Sequence, residues 1–199
     1  SKATAGLFNA RNGVQHYYDG GPIEEEGIPF FAIPTTAGTG AEATPNAVII
    51  DTKTKTKRSI RGRSFLAKKV VLDADLLAHC PPHVTCYAAL DALVQAYESF
   101  ISKHATYFSE LLSLCALSMI NHHIISACMH RKKESLEALL VASYYAGIAL
   151  SSSRLGVIHG LAHPLGVLYA IPHGLVCALC FLPSIKFNRE AMGKKYNRL

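Results

Sequence analysis

His159-Gly160-Leu161-Ala162-His163-Pro164-Leu165-Gly166, followed by Ile171-Pro172-His173-Gly174, brings three histidines, three glycines and two prolines into one short run. Imidazoles four residues apart lie on one face of a helix and can converge on a single point. His173 follows a proline, so it can open a second helix from a fixed turn. A lone histidine in an apolar run reads most simply as a buried, hydrogen-bonded core residue. Three of them, each beside Gly or Pro, read as a site. A divalent metal held by imidazoles polarises an alcohol or carbonyl oxygen. The surrounding stretch, Leu161–Ile185, is apolar enough to suggest a membrane span. Its histidines and prolines (Pro164, Pro172, Pro183) point instead to a buried element made of two helices, Gly156–Gly166 and Gly174–Pro183.

Moving towards the N-terminus, the chain reads as helical back to Pro81-Pro82. Leu90, Leu93, Val94, Tyr97 and Ile101 recur at three- and four-residue spacing and predict one apolar stripe. Tyr107–Ile125 repeats the pattern. Glu134–Ser152 predicts a third helix, in which Ala142, Ala146 and Ala149 permit close packing. Asp91 interrupts the apolar stretch Tyr87–Tyr97, with Gln95 and Glu98 at i+4 and i+7. A buried carboxylate needs a partner, and a metal is a strong one. Spacing alone leaves Asp91 open between that role and a surface carboxylate near a helix N-terminus. Glu98 reads as a solvated or capping group.

Before Pro81 the pattern changes to short β-rich runs between turns. Ser1–Asn12 predicts a short helix, and Phe30–Pro34 a buried strand. Ala47–Asp51 and Arg58–Arg61 flank a Lys/Thr-rich turn, and Lys69–Leu72 is a fourth strand. Pro34-Thr35-Thr36-Ala37-Gly38-Thr39-Gly40 follows the first strand and mixes hydroxyls with glycines. Its N–H groups and Thr hydroxyls could cradle a phosphate or ribose. It is neither a Walker A loop nor G-x-G-x-x-G, and a plain turn serves equally well. The expectation is an α/β part over residues 1–80 and a helical part over 81–199, with a cleft between them.

The 199 residues are half hydrophobic and 17% charged, which excludes a mostly disordered chain. The formal charge of +6 concentrates in Lys53–Arg63, Arg131–Lys133 and Lys186–Arg198. None of these interleaves aromatics as a nucleic-acid face would. An anionic cofactor is a better use for one of the lysines. Cys177 and Cys180 form a lone C-x-x-C with no second pair to complete a zinc ribbon. The six cysteines read as core thiols in a reducing compartment. No long apolar run opens the sequence, so a cytoplasmic location is expected.

Three segments, in this order, resemble the iron-containing alcohol dehydrogenase family. Ile33–Thr44 is similar to its I-P-T-T-A-G-T-G-S-E-x-T signature. Leu90–Ser99 resembles its D-A-L-x-H-A-x-E helix. His159–Gly174 resembles H-G-x-A-H-P-L-G … P-H-G. The resemblance implies a dehydroquinate synthase-like fold, here a partial nucleotide-binding α/β domain followed by a helical bundle. It implies interconversion of an alcohol with an aldehyde or ketone, using NAD or NADP and Fe²⁺, alternatively Zn²⁺. By position, the metal ligands would be Asp91, Gln95, His159 and His173, and His163 would relay protons. Thr35, Thr36 and Thr39 would line the dinucleotide, with Asn46 and Lys57 reaching its ribose and phosphates. The partner would be a small alcohol or aldehyde, with no nucleic acid and no membrane, and homo-oligomerisation is left open.

Two features depart from the family's pattern. Gln95 stands where the family carries His, and an amide oxygen is a poorer ligand than imidazole. The family's G-G-G-S-x-x-D pyrophosphate loop does not occur in this sequence, and Ser1-Lys2-Ala3 resembles the helix just after it. Phe187–Leu199 resembles an internal family helix. A fragment or a truncated product is therefore expected. The competing reading is a catalytically inactive remnant, or a metal- or partner-binding module on the same scaffold.

Overall fold

The computed structural model describes residues 2–199. Ser1, the first residue of the expected N-terminal helix, lies outside the described residues. Short helices α1 (Lys2–Gly6) and α2 (Val14–Tyr18) lead into strand β1 (Phe31–Ala32). A 3₁₀ turn (Ala41–Ala43) precedes the hairpin of β2 (Asn46–Asp51) and β3 (Thr56–Arg61), and β4 (Lys69–Val70) follows. Five long helices complete the chain: α3 (Pro82–Ile101), α4 (Tyr107–Ile125), α5 (Lys133–Ser153), α6 (Val157–Tyr169) and α7 (His173–Met192).

Each helix begins where its sequence permits. Pro82 starts α3 at the position where a missing N–H is harmless. Thr106 and Ser109 form a reciprocal capping box on α4. Pro172 sets the turn from which His173 opens α7. The helix α3 is the central one. Its expected single stripe is too narrow a description: Ala89, Asp91, Ala92 and every residue from Val94 to Phe100 are buried. Neighbours surround it, with α4 and α5 packing on one side and α6 and α7 on another. Ala142, Ala146 and Ala149 of α5 are fully buried and allow that close approach. Full burial of a side chain such as Tyr97 or Phe100 stabilises the bundle by about 1.5–3 kcal/mol each.

The α/β part is smaller. Strand β1 pairs parallel with β4, and β2 pairs antiparallel with β3 from Asn46↔Arg61 to Asp51↔Thr56. Asp51 Oδ1 accepts from Lys53 N at 2.8 Å and so holds the hairpin turn. The expected buried strand over Phe30–Pro34 is a correction. Only Phe31–Ala32 is a strand, and Phe31 and Ile33 are 64% and 53% exposed. A parallel strand is buried when neighbours flank it and helices cover both faces. Here it pairs with β4 alone.

Leu161–Ile185 also differs from expectation. Its inner face is buried through Ala162, Val176 and Cys177, but Leu168, Tyr169, Leu179 and Leu182 are exposed. The helix α7 runs through Pro183 to Met192. Proline removes one backbone bond, which a long helix packed along α3 tolerates. Gly193, at φ 52°, then ends it, and residues 193–198 form a 3₁₀ turn in place of a continued helix. The six cysteines are free. Only Cys128 and Cys177 are core thiols, and Cys115 is exposed, because it faces outward from α4. By length and composition one described helix, Tyr107–His130, could cross a membrane.

Candidate metal centre

The helices α3, α6 and α7 bring four potential donors together. Asp91 comes from the middle of α3, His159 from the first turn of α6, and His173 and Cys177 from the first two turns of α7. Their ligand atoms all lie within 4.8 Å of one another. Asp91 Oδ1 is 3.1 Å from His159 Nε2 and 3.7 Å from His173 Nε2. The close approach of α7 to α3 depends on Gly174, where a Cβ would stand 1.9 Å from the Tyr87 carbonyl oxygen.

Glu98 fixes the orientation of His159. Its carboxylate accepts from Ile158 N at 2.7 Å and from His159 Nδ1 at 2.7 Å. It therefore caps α6 and also turns Nε2 of His159 towards Asp91. Carboxylates that hold the far nitrogen of a ligating histidine are a recurrent part of metal sites. The solvated alternative for Glu98 is corrected, since it is among the most deeply buried side chains. Gly156 makes room for it, since a Cβ there would stand 2.8 Å from Glu98 Oε1.

The electrostatics follow from this crowding. Burial opposes the charge on Asp91, but hydrogen bonding and charge from His159, and then charge from His173, hold its pKa below the usual carboxylate value. Burial also opposes a charged His159. Hydrogen bonds with Asp91, Cys177 and Glu98 outweigh it and raise its pKa well above the ordinary imidazole value. His173 is pulled down, by burial first and by Lys57 and His159 as well. His163 is 5.5 Å from His173 between ring centroids, and burial together with Lys57 lowers its pKa to about 4. It is therefore uncharged at pH 7. Its ring stands beside the donor cluster, outside the four-donor set.

Gln95 is buried one turn after Asp91. Its Nε2 donates to the Gly38 carbonyl at 3.2 Å, and its Oε1 has no partner. The amide thus ties the Thr-rich loop to α3. That loop docks equally closely on α5: at Gly40, φ 53°, a Cβ would stand 2.6 Å from the Ser143 carbonyl oxygen. Ser151 Oγ donates to the Ala43 carbonyl at 3.0 Å.

A cavity of about 660 Å³ opens above the cluster. Asp91, Gln95, His159, His163 and His173 line it, together with Thr39, Asn46 and Lys57. Lys2, Arg61 and Arg154 also line it, and Asp91 is the one carboxylate among the described residues there, so the wall suits an anion. Lys57 is half-buried, unlike the exposed Lys53 and Lys55, because β3 packs against α6. Thr35 and Thr36 do not reach this cavity. They line a second hollow of about 620 Å³, which meets the first at Lys2, Thr39 and Ala41. Cys177 escaped the sequence reading as a donor, although its i+4 spacing from His173 on one helix was a signal. Glu98 was read as a solvated or capping group; its capping of α6 is found, and its clamp on His159 was the part not read.

A helical bundle that focuses imidazoles and a buried carboxylate on the floor of a cationic cleft, beside a small α/β part, defines the class. The Fe-containing alcohol dehydrogenase C-terminal family description matches residues 85–199, and the iron-containing alcohol dehydrogenase description matches residues 1–74. The chain belongs to the iron-containing alcohol dehydrogenase family. It is 36% identical over 173 residues to EutG of Escherichia coli K12, named a probable alcohol dehydrogenase, covering 86% of this chain and 44% of that one. It is 34% identical to sulfoacetaldehyde reductase of Bilophila wadsworthia, covering 98% and 51%. The crystal structure of sulfoacetaldehyde reductase from Bifidobacterium kashiwanohense in complex with NAD⁺ superposes with a TM-score of 0.89 at 28% identity, covering 94% and 50%. The chain spans about half the length of these relatives.

Proposed function

We propose that the chain carries the metal centre and part of the nucleotide cleft of an oxidoreductase that interconverts an alcohol with an aldehyde or ketone. One observation supports this above others: Asp91, His159 and His173 converge within bonding reach of one point on the floor of the cavity that Thr39, Asn46 and Lys57 also line. The donors fit a divalent cation such as Fe²⁺ or Zn²⁺. Asp91 and His159 are buried, the set combines a carboxylate with imidazoles, and the buried Gln95 Oε1 has no partner. Gln95 would reach the ion only through that oxygen, directly or by way of water. When bound, the metal would polarise the substrate oxygen.

The chain's own groups would supply the rest. Glu98 would keep His159 Nδ1 protonated and so leave Nε2 to face inward. His163, neutral at pH 7, would take or return the alcohol proton at the cavity wall. Lys57, Lys2 and Asn46 would meet the phosphates and ribose of NAD or NADP, and Thr35, Thr36 and Thr39 would line the path between the two hollows. The boundary between residues 1–80 and 81–199, and a cytoplasmic location, belong to the same proposal.

The test is a calorimetric titration of NADH into the chain with Zn²⁺ or Fe²⁺ present and absent. Binding that strengthens with metal is the expected result. No heat in either arm would favour an inactive remnant.

A further inference from the structure

We propose that Cys177 Sγ, in place of the Gln95 amide, supplies the fourth protein donor, making an Asp91–His159–His173–Cys177 site that prefers Zn²⁺ to Fe²⁺. This deepens the function proposed above and rests on it, and the substrate oxygen would join as a fifth ligand, an expansion that zinc allows. The first argument is distance. Cys177 Sγ lies 3.8 Å from Asp91 Oδ1, 4.0 Å from His159 Nε2 and 3.9 Å from His173 Nε2. A zinc ion with bonds of about 2.3 Å to sulfur and about 2.0–2.2 Å to nitrogen and oxygen sets tetrahedral edges of roughly 3.4–3.6 Å. The three sulfur edges exceed that by a few tenths of an ångström, and the 3.1 and 3.7 Å edges from Asp91 bracket it.

The second argument is that Gln95 has another task. Its Nε2 holds the Gly38 carbonyl and with it the Thr-rich loop. Rotating the amide to give up its oxygen to a metal from a new angle would disturb that tether. Among the described residues, the contacts of Cys177 Sγ run to Asp91, His159 and His173. Its side chain is fully buried and sits one helical turn after His173, on the same face. The third argument is chemical type. A thiolate is a softer donor than imidazole or carboxylate and favours zinc over iron(II). On binding, the Cys177 thiol releases its proton to solvent and the sulfur lone pair forms the metal bond.

The experiment loads the metal-free chain with Co²⁺ and records its absorption. The expected result is one Co²⁺ per chain and a near-ultraviolet thiolate-to-cobalt charge-transfer band. That band is lost in Cys177→Ser and kept in Cys180→Ser. Bound Co²⁺ with visible bands but no charge-transfer band, or a band that survives Cys177→Ser, overturns the assignment of Cys177 and leaves the Asp91, His159 and His173 reading standing. Failure to bind Co²⁺ at all overturns both. X-ray absorption on the zinc-loaded unsubstituted chain reads the same point without a variant. A sulfur scatterer at about 2.3 Å supports the proposal, and a shell of nitrogen and oxygen alone overturns it.

Discussion

The donor cluster and the Thr-rich loop face each other across one cleft, yet they are held by different means. At the cluster the functional groups themselves are locked. Asp91 and His159 are buried, Glu98 clamps His159, and Gly174 seats α7 against the backbone of α3. At the loop only the backbone is locked. Gly38 and Gly40 press on α3 and α5, while the side chains of Thr35, Thr36 and Thr39 remain exposed. A side chain fixed by packing couples site geometry to fold stability. A side chain fixed only through its backbone can change its chemistry at little structural expense. Substitutions of the buried Asp91, His159 and Glu98 should therefore alter stability and metal binding together, and side-chain substitutions at the loop threonines should alter ligand binding alone.

The largest expected effect is at Glu98. Glu98→Ala leaves Ile158 N and His159 Nδ1 buried without their acceptor and should destabilise the chain by about 3–5 kcal/mol, read from urea unfolding. A loss below about 1 kcal/mol would break the coupling of site to fold. Next comes Gly40→Ala, where a positive φ and contact with the Ser143 carbonyl combine. A loss of about 2–4 kcal/mol is expected, and it locates the loop's rigidity in its backbone. Thr36→Ala and Thr39→Ala should move stability by no more than about 0.5 kcal/mol while weakening NADH binding several-fold in calorimetry. Equal losses in both readouts would erase the contrast.

The smallest effect is a pH slope at Lys2, which joins the two hollows through bonds to the Ala41 and Thr44 carbonyls. Burial lowers its pKa to about 8, with Glu42 partly offsetting the shift. Below that value Lys2 is charged in both the folded and unfolded chain, and the burial penalty is fully present. Between about pH 8 and the ordinary lysine value the unfolded chain keeps the proton that the folded chain has lost, so this group's contribution to stability rises with pH. Subtracting the unfolding midpoints of Lys2→Met from those of the unsubstituted chain across this range should give a rising difference. A flat difference would place Lys2 in solvent.

Much of the helical part was legible because its signals are local. Pro82, the Tyr107–Ile125 periodicity and the small residues of α5 each act within one helix. The His159, His163 and His173 spacing is likewise local, and the fold brings His159 and His173 to Asp91. The misread features depend on contacts across the chain. Phe31 has the composition of a buried strand, but its exposure is set by having β4 as its one partner. Cys177 looks like any core thiol until α7 turns it towards Asp91, 86 residues away. Glu98 looks like a surface acid until the N-terminus of α6 arrives above it.

The central claim is that Asp91, His159 and His173 hold a metal ion, and Zn²⁺ titration of His173→Ala against the unsubstituted chain tests it most directly. His173 retains 26% side-chain exposure, so its loss should leave the metal-free fold nearly intact. The expected result is one Zn²⁺ per unsubstituted chain and binding on the order of 100-fold weaker in the variant, with similar unfolding of the two metal-free proteins. Unchanged Zn²⁺ affinity in a folded His173→Ala chain would contradict the account.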